Sequence, residues 1–430
     1  MKDRAEEEKK IVGWRRKLHA HAETKWTEFW TSSFIAEKLD EMGYDVRAGI
    51  EVVDPEFCVG RPSEKEIDTH VERALSQGAS PAWLKRMKGF TGVTAVLETG
   101  RPGPSVALRA DIDAVCNREV TAEGHFPFDE GFASLNSDAV HACGHDGHAA
   151  IMLGVAERIM EEKDRLGGTI LFLFQPSEEG GGGGKAMESK GVVDSVDYLF
   201  TFHLSLAPSH VIAGGCSDFV DNRRYDVTFT GCAAHPVGDP ENGKNALLAA
   251  CSAAMNLHCI PPHGDGCVWV NVGVLHAGKG RNVIAPDAFF QLESRAALEN
   301  VADFAEERVL TIIEHAAGMY GVDVQIDRIG HALTGRSDPE MIELVLGEAG
   351  NIPFFTEFLR EGRVGGSDDA TDLMRAVQKR GGKATYIALG CDAKASFHNG
   401  AYDLDESALL PGTDLFVNLA SMLLIYLILN

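Results

Sequence analysis

The sequence predicts an α/β protein with a mostly parallel, helix-covered sheet, interrupted by an inserted α+β domain of ferredoxin-like order. Three observations predict it. Two short apolar runs flank an amphipathic helix, and a strand–helix–strand unit of this kind requires parallel strands. Between residues 222 and 335 the pattern changes to β-α-β-β-α-β, the order of a ferredoxin-like domain. A further apolar strand and a helix follow, so the first domain is discontinuous and comprises 1–221 and 336–430.

The N-terminal "MKDRAEEEKKIVGWRRKLHAHAE" reads as a charged amphipathic helix without the apolar stretch of a secretory leader, so a cytoplasmic protein is expected. Residues 52–92 elaborate the first domain with helical "SEKEIDTHVERALSQ" and "PAWLKRMKG". The strand "SVALRADI" (105–112) follows, then the helix "AAIMLGVAERIMEEKDRLGG" with its Gly-Gly stop, then the strands "GTILFLFQ" (168–175) and "VDYLFTFHL" (196–204). In the insertion, "RRYDVTFTG", "CVWVNVGVLHAG", "APDAFFQLESRAAL" and "VDVQIDRIGHAL" read as strands. "NALLAACSAAMNLHCI" and "VADFAEERVLTIIEHAAGMYG" read as helices. The strand "ATYIALG" (384–390) then returns to the first domain. The terminal "LASMLLIYLIL" is apolar over 11 residues, short of the roughly 20 that span a bilayer, and reads as a buried helix.

Composition excludes several classes. With 64 acidic and 40 basic residues the formal charge is −24, which argues against nucleic acid or an anionic membrane as a partner. Nine cysteines at uneven spacing in a chain of 430 residues do not form a disulfide framework. The run "EGGGGGK" is not a phosphate-binding loop: three residues separate Gly180 from Gly184 where four are needed, and Ala186 follows Lys185. It reads as a flexible turn before a helix.

Chemistry concentrates in "HACGHDGH" (141–148). Open α/β sheets collect ligands beyond the carboxyl ends of their strands. Asp113 follows the first strand, Glu178 and Glu179 the second, His203 closes the third, and His398 lies beyond the last. A strand-end histidine is more often a satisfied core residue than a ligand, and adjacent glutamates are usually solvated. Here all of them share one end of one sheet with Cys143 and His145, a set of thiolate, imidazole and carboxylate donors suited to one or two divalent ions of borderline softness. His125, His141 and His148 read either as supports for ligands or as polar residues of their loops.

With "RADIDA", "HACGHDGH", "QPSEEG", "FHL", "GRNVIAP" and "FHN" in this order, the chain resembles the amidohydrolase branch of the dinuclear metallopeptidases. That branch includes aminoacylases, hippurate hydrolases and auxin-conjugate hydrolases. The segments "GFTGVTAVLETG" and "GGSDDATDLM" look most like the p-aminobenzoyl-glutamate hydrolase group, in its A-type chains. The resemblance implies two metal ions, manganese or zinc, with Cys143 bridging them and His145, Glu179, His203 and His398 as further ligands. Glu178 becomes the general base and acid, and Asp113 orients a ligand histidine. His235, Asn282 and Arg295 of the inserted domain would bind the substrate's carboxylate and the developing oxyanion. The inserted domain would serve as lid and homodimer interface, with a related second type of chain left open. The implied substrate is an N-acyl or N-aroyl amino acid; a dipeptidase, an aminoacylase of other specificity and a silent metal-binding scaffold are the alternatives. Two departures stand out: the run after the glutamates is richer in glycine than usual, which would loosen that loop, and "FHN" replaces "HHN", which removes a polar neighbour of His398.

Overall fold

The computed structural model describes residues 3–425. They form two compact units: residues 3–217 with 335–364 and 368–425, and residues 218–334 with 365–367.

The first unit is built on an eight-stranded sheet. Its strands are β1 (Asp45–Ala48), β2 (Val93–Glu98), β3 (Ser105–Asp111), β4 (Thr169–Gln175), β5 (Tyr198–Leu204) and β6 (Val211–Cys216). After the insertion, whose strands are β7 (Asp221–Thr230), β8 (Val268–Ala277), β9 (Asp287–Ala296) and β10 (Asp323–Ala332), come β11 (Glu357–Gly362) and β12 (Lys383–Leu389). The order is β1-β2-β4-β3-β5-β12-β6-β11. Its centre, β4-β3-β5-β12, is parallel, while β1, β2 and β6 pair antiparallel with their inner neighbours. Central parallel strands are covered on both faces and therefore read as unbroken apolar runs, as "ILFLF" of β4 does. The helix His145–Glu162 joins β3 to β4 as expected, and with Leu409–Leu424 it packs on β3. The helix Ala370–Lys379 covers β5 and β12.

Four of these eight strands are expected from the sequence; β1, β2, β6 and β11 are not. The missed strands lie toward the sheet's two edges. β11, "EFLREG", is polar and almost wholly exposed, so no apolar run marks it. The apolar C-terminal run enters the helix Leu409–Leu424, where Leu419, Ala420 and Leu424 are buried; residues 426–429 of that run lie outside the described residues. Among the described residues one stretch, Glu406–Leu424, is long and apolar enough to cross a membrane, and 67% of its most apolar window is buried within the protein.

The second unit is a four-stranded antiparallel sheet in the order β10-β7-β9-β8, with helices Ala246–Leu257 and Glu299–Tyr320. This is the ferredoxin-like arrangement that the element order predicts. Its core is Val227, Phe229, Phe290, Val309 and Ile313 with an alanine face of the first helix. Residues 365–367 join this unit through hydrogen bonds of Gly366 and Ser367 to Val220.

Candidate metal centre

The carboxyl ends of β3, β4 and β5 bring together the donors of the first unit. Cys143 and His145 sit at the N-terminus of the helix His145–Glu162, reached through Gly144, whose φ of +87° suits glycine. Cys143 Sγ lies 3.4 Å from His203 Nε2. Three donor sets each fall within 4.8 Å: Cys143, His145 and His203; Cys143, Glu179 and His398; and His145, Glu178 and Glu179. Cys143 is thus common to the first two.

Hydrogen bonds from Nδ1 fix the orientation of the two buried imidazoles. His203 donates from Nδ1 to the carbonyl of Leu204 at 2.6 Å, which leaves the Nε2 lone pair facing Cys143, and burial pushes its imidazole down to about 3. His145 donates from Nδ1 to the carbonyl of Asp113 at 2.9 Å. Its Nε2 is buried with no hydrogen-bond partner among the described residues. Burial opposes charge on His145, yet Asp111, Asp113 and Glu179 outweigh it and raise the ring to about 10. A proton there stands where a cation is wanted.

Asp113 orients His145 chiefly through its backbone carbonyl; its carboxylate oxygen is 3.5 Å from the ring. That carboxylate instead accepts the N–H groups of Glu178 (3.0 Å) and Glu179 (3.1 Å), fixing the loop that bears both glutamates. His398 is held at φ +64° by its own N–H on Ala142, and its Nε2 is 3.3 Å from Glu179 Oε1. Phe397, the departure beside it, stacks edge-on against His203 with ring centroids 5.3 Å apart.

The sequence alone does not single out four further carboxylates. Asp111 accepts from His148 Nδ1 and lies 3.7 Å from His145 Nε2. Asp368 and Asp369 form a set within 4.8 Å with Glu178. Arg109, wholly buried, donates to Asp111 and Asp368, and Tyr386 donates to Asp368. Glu28 accepts the N–H of Ser177. A signal exists for two of them only in hindsight: Asp368 and Asp369 are the paired acids of "GGSDDATDLM". Burial first, then Asp368, Glu179 and Asp369, raises the Glu178 carboxyl well above the usual range. Burial with Glu179 and Glu178 likewise raises the Cys143 thiol. Soft and hard donors, an orphaned imidazole nitrogen and an excess of buried negative charge together fit divalent cations.

The other histidines of the motif separate. His148 uses both ring nitrogens, Nδ1 on Asp111 and Nε2 accepting from Leu204 N–H at 2.9 Å, so it supports the site rather than ligating. His125 pairs with Glu119. His141 is buried with neither nitrogen partnered among the described residues. The glycine run, expected to be a flexible turn, is buried: a Cβ on Gly183 would stand 1.6 Å from the Pro176 carbonyl and one on Gly184 2.1 Å from the Asp369 carbonyl. Glycine is needed here for close backbone approach.

The second unit carries His235, Asn282 and Arg295, with His235 and Asn282 exposed. His235 Nδ1 accepts from the N–H groups of Val237 and Gly238, which fixes the proton on Nε2. Arg295 on β9 is half-exposed and grips Glu293 through Nε and Nη2 at 3.2 and 3.0 Å.

The model of Peptidase family M20/M25/M40 matches residues 107–422. An indole-3-acetyl-aspartic acid hydrolase of Enterobacter agglomerans is 42% identical over 93% of this chain and 92% of its own length. A p-aminobenzoyl-glutamate hydrolase chain of Escherichia coli is 40% identical over the same shares. The crystal structure of an aminobenzoyl-glutamate utilization protein from Klebsiella pneumoniae superposes with a TM-score of 0.82 at 36% identity, covering 95% of this chain and 94% of that one. On this breadth of likeness the chain belongs to peptidase family M20/M25/M40 and is a metal-dependent amidohydrolase of that family.

Proposed function

We propose that the chain hydrolyses the amide between an acyl or aroyl group and an acidic amino acid, p-aminobenzoyl-glutamate being the leading substrate and an acyl-aspartate the next. The observation that carries the reading is the sharing of Cys143 between two ligand sets with Glu178 beside them. Relatives named for cleaving aspartate and glutamate conjugates support the substrate class.

Cys143, His145 and His203 would hold one divalent ion and Cys143, Glu179 and His398 a second, manganese or zinc by donor type. When bound, such ions acidify water and polarise a carbonyl. Glu178 accepts the proton of the attacking water and delivers it to the leaving amine nitrogen. His235, with its proton fixed on Nε2, is a donor for a developing oxyanion or a carboxylate, and Asn282 supplies a second amide donor. Arg295 would take the substrate's carboxylate by two parallel hydrogen bonds, exchanging Glu293 for it.

The first unit is thus the catalytic domain and the second the lid and dimer domain, with a homodimer formed through the second and a related chain of another type as a further partner. The exposed edge strand β8, with Trp269 half in solvent, supports the dimer reading. The nine free cysteines support a reducing, cytoplasmic setting.

A panel of N-acyl amino acids and dipeptides, offered to metal-reconstituted protein, tests the reading. Acyl-glutamate and acyl-aspartate should be cleaved fastest. Glu178→Gln should keep its metal and lose turnover by about 10² to 10⁴-fold. Preference for dipeptides with a free amine, or near-normal turnover in the variant, would overturn it.

A further inference from the structure

We infer that Glu28, from the N-terminal region, is a positioning residue that aims Glu178 by holding the turn in front of it. The inference rests on the reading of Glu178 as the acid and base.

Glu28 precedes the helix Phe29–Met42, at a position where a carboxylate can accept from the helix's free N–H groups and is favoured by the helix dipole. It does not do so. Glu23 takes that task, accepting from Trp30 N–H at 3.2 Å and Thr31 N–H at 2.9 Å. Glu28, fully buried, turns away and accepts from Ser177 N–H at 2.8 Å and from the Thr91 hydroxyl at 2.6 Å. A buried carboxylate that leaves the capping of its own helix to Glu23 and gives one oxygen to a distant backbone N–H and the other to a hydroxyl ties the N-terminal region to the turn before Glu178.

Ser177 is the residue before Glu178 and has φ +54°, a conformation that costs a residue with a side chain and persists only where its surroundings impose it. The imposition is visible on each side. Pro176 is wedged between Gly92, where a Cβ would meet its ring at 2.7 Å, and Gly183, where a Cβ would meet its carbonyl. Asp113 holds the N–H groups of Glu178 and Glu179, and Asp369 that of Gly184 at 2.9 Å. Glu28 completes this brace at the one residue whose backbone resists the shape. Without it Ser177 relaxes toward negative φ, and the carboxyl of Glu178 swings with the backbone that follows.

The test is a rescue experiment on the metal-loaded, full-length protein. Glu28→Ala should lower kcat by about 10²-fold, the scale of a 1 Å misplacement, with KM and metal content unchanged. Glu28→Gln keeps an acceptor for Ser177 N–H and should recover most of the rate. Ser177→Gly, placed in the Glu28→Ala background, should recover at least about tenfold, because glycine adopts positive φ freely. Amide hydrogen exchange over 176–184 should quicken in Glu28→Ala, a change read without turnover. Should Glu28→Ala not fold, Thr91→Val, which strips one hydrogen bond from Glu28, should show a smaller kcat loss with the same rescue. Normal kcat in these variants, or a loss that Ser177→Gly leaves untouched, overturns the positioning role. An inactive wild type or an active Glu178→Gln instead overturns the underlying reading.

Discussion

The polar residues of the first unit's site and those of the second unit live in opposite physical conditions. In the first, Asp111, Asp113, His145, His203, Asp368 and Asp369 are buried, and hydrogen bonds of Asp113, His145 and Asp369 reach into the backbone of the loops around Cys143 and Glu179. In the second, His235 and Asn282 stand in solvent and Arg295 is satisfied by its own strand neighbour Glu293. The contrast separates preorganisation from capture. On the proposed reading, metal ligands are held by buried hydrogen bonds, whereas the proposed substrate-binding groups stay hydrated and can exchange partners.

The largest expected effect attacks the rigid side. Cys143→Ala with His203→Ala removes the shared thiolate and its neighbour, so elemental analysis of protein purified without chelator should show metal falling to background and hydrolysis with it. Equal metal in parent and double variant would break the ligand assignment. Next comes Gly183→Ala, which forces a methyl against the Pro176 carbonyl. Overpacking of this kind costs about 1–3 kcal/mol, and thermal unfolding should register it together with a loss of kcat. A silent substitution would show that the glycine run is as loose as its composition suggests.

On the exposed side, Arg295→Ala should raise KM roughly tenfold, at about 1.4 kcal/mol per decade, and leave cleavage of a carboxylate-amidated analogue unchanged. Glu293→Gln sharpens the point: with the competing carboxylate neutralised, KM should fall. Equal damage to the amidated analogue would mark Arg295 as structural. The smallest effect belongs to Val237, 83% exposed beside His235, where Val237→Ser should shift stability by less than about 0.5 kcal/mol in a chemical denaturation curve.

The same contrast governs what the sequence discloses. Cys143, His145, Glu178, Glu179 and His203 follow or open elements with strong apolar periodicity, so their convergence can be read from the strand ends alone. Glu28 and Ser177 are 149 residues apart and Asp369 and Gly184 185 apart, and no local pattern couples them. The edge strand β11 escapes because an exposed strand needs no apolar face. "GGGGG" misleads because composition records permissiveness, while close packing uses the same lack of a side chain to the opposite end.

Arg109 sits as a single buried guanidinium among Asp111, Asp368 and Asp369, with Glu178 and Glu179 close by. Such a cluster holds protons where cations would sit, so ion binding expels them and couples the folding equilibrium to ion supply and pH. An ion bound only by the native state adds about 1.4 kcal/mol of stability for every tenfold rise in its free concentration above the dissociation constant. Metal removal should therefore lower the thermal unfolding midpoint as well as turnover.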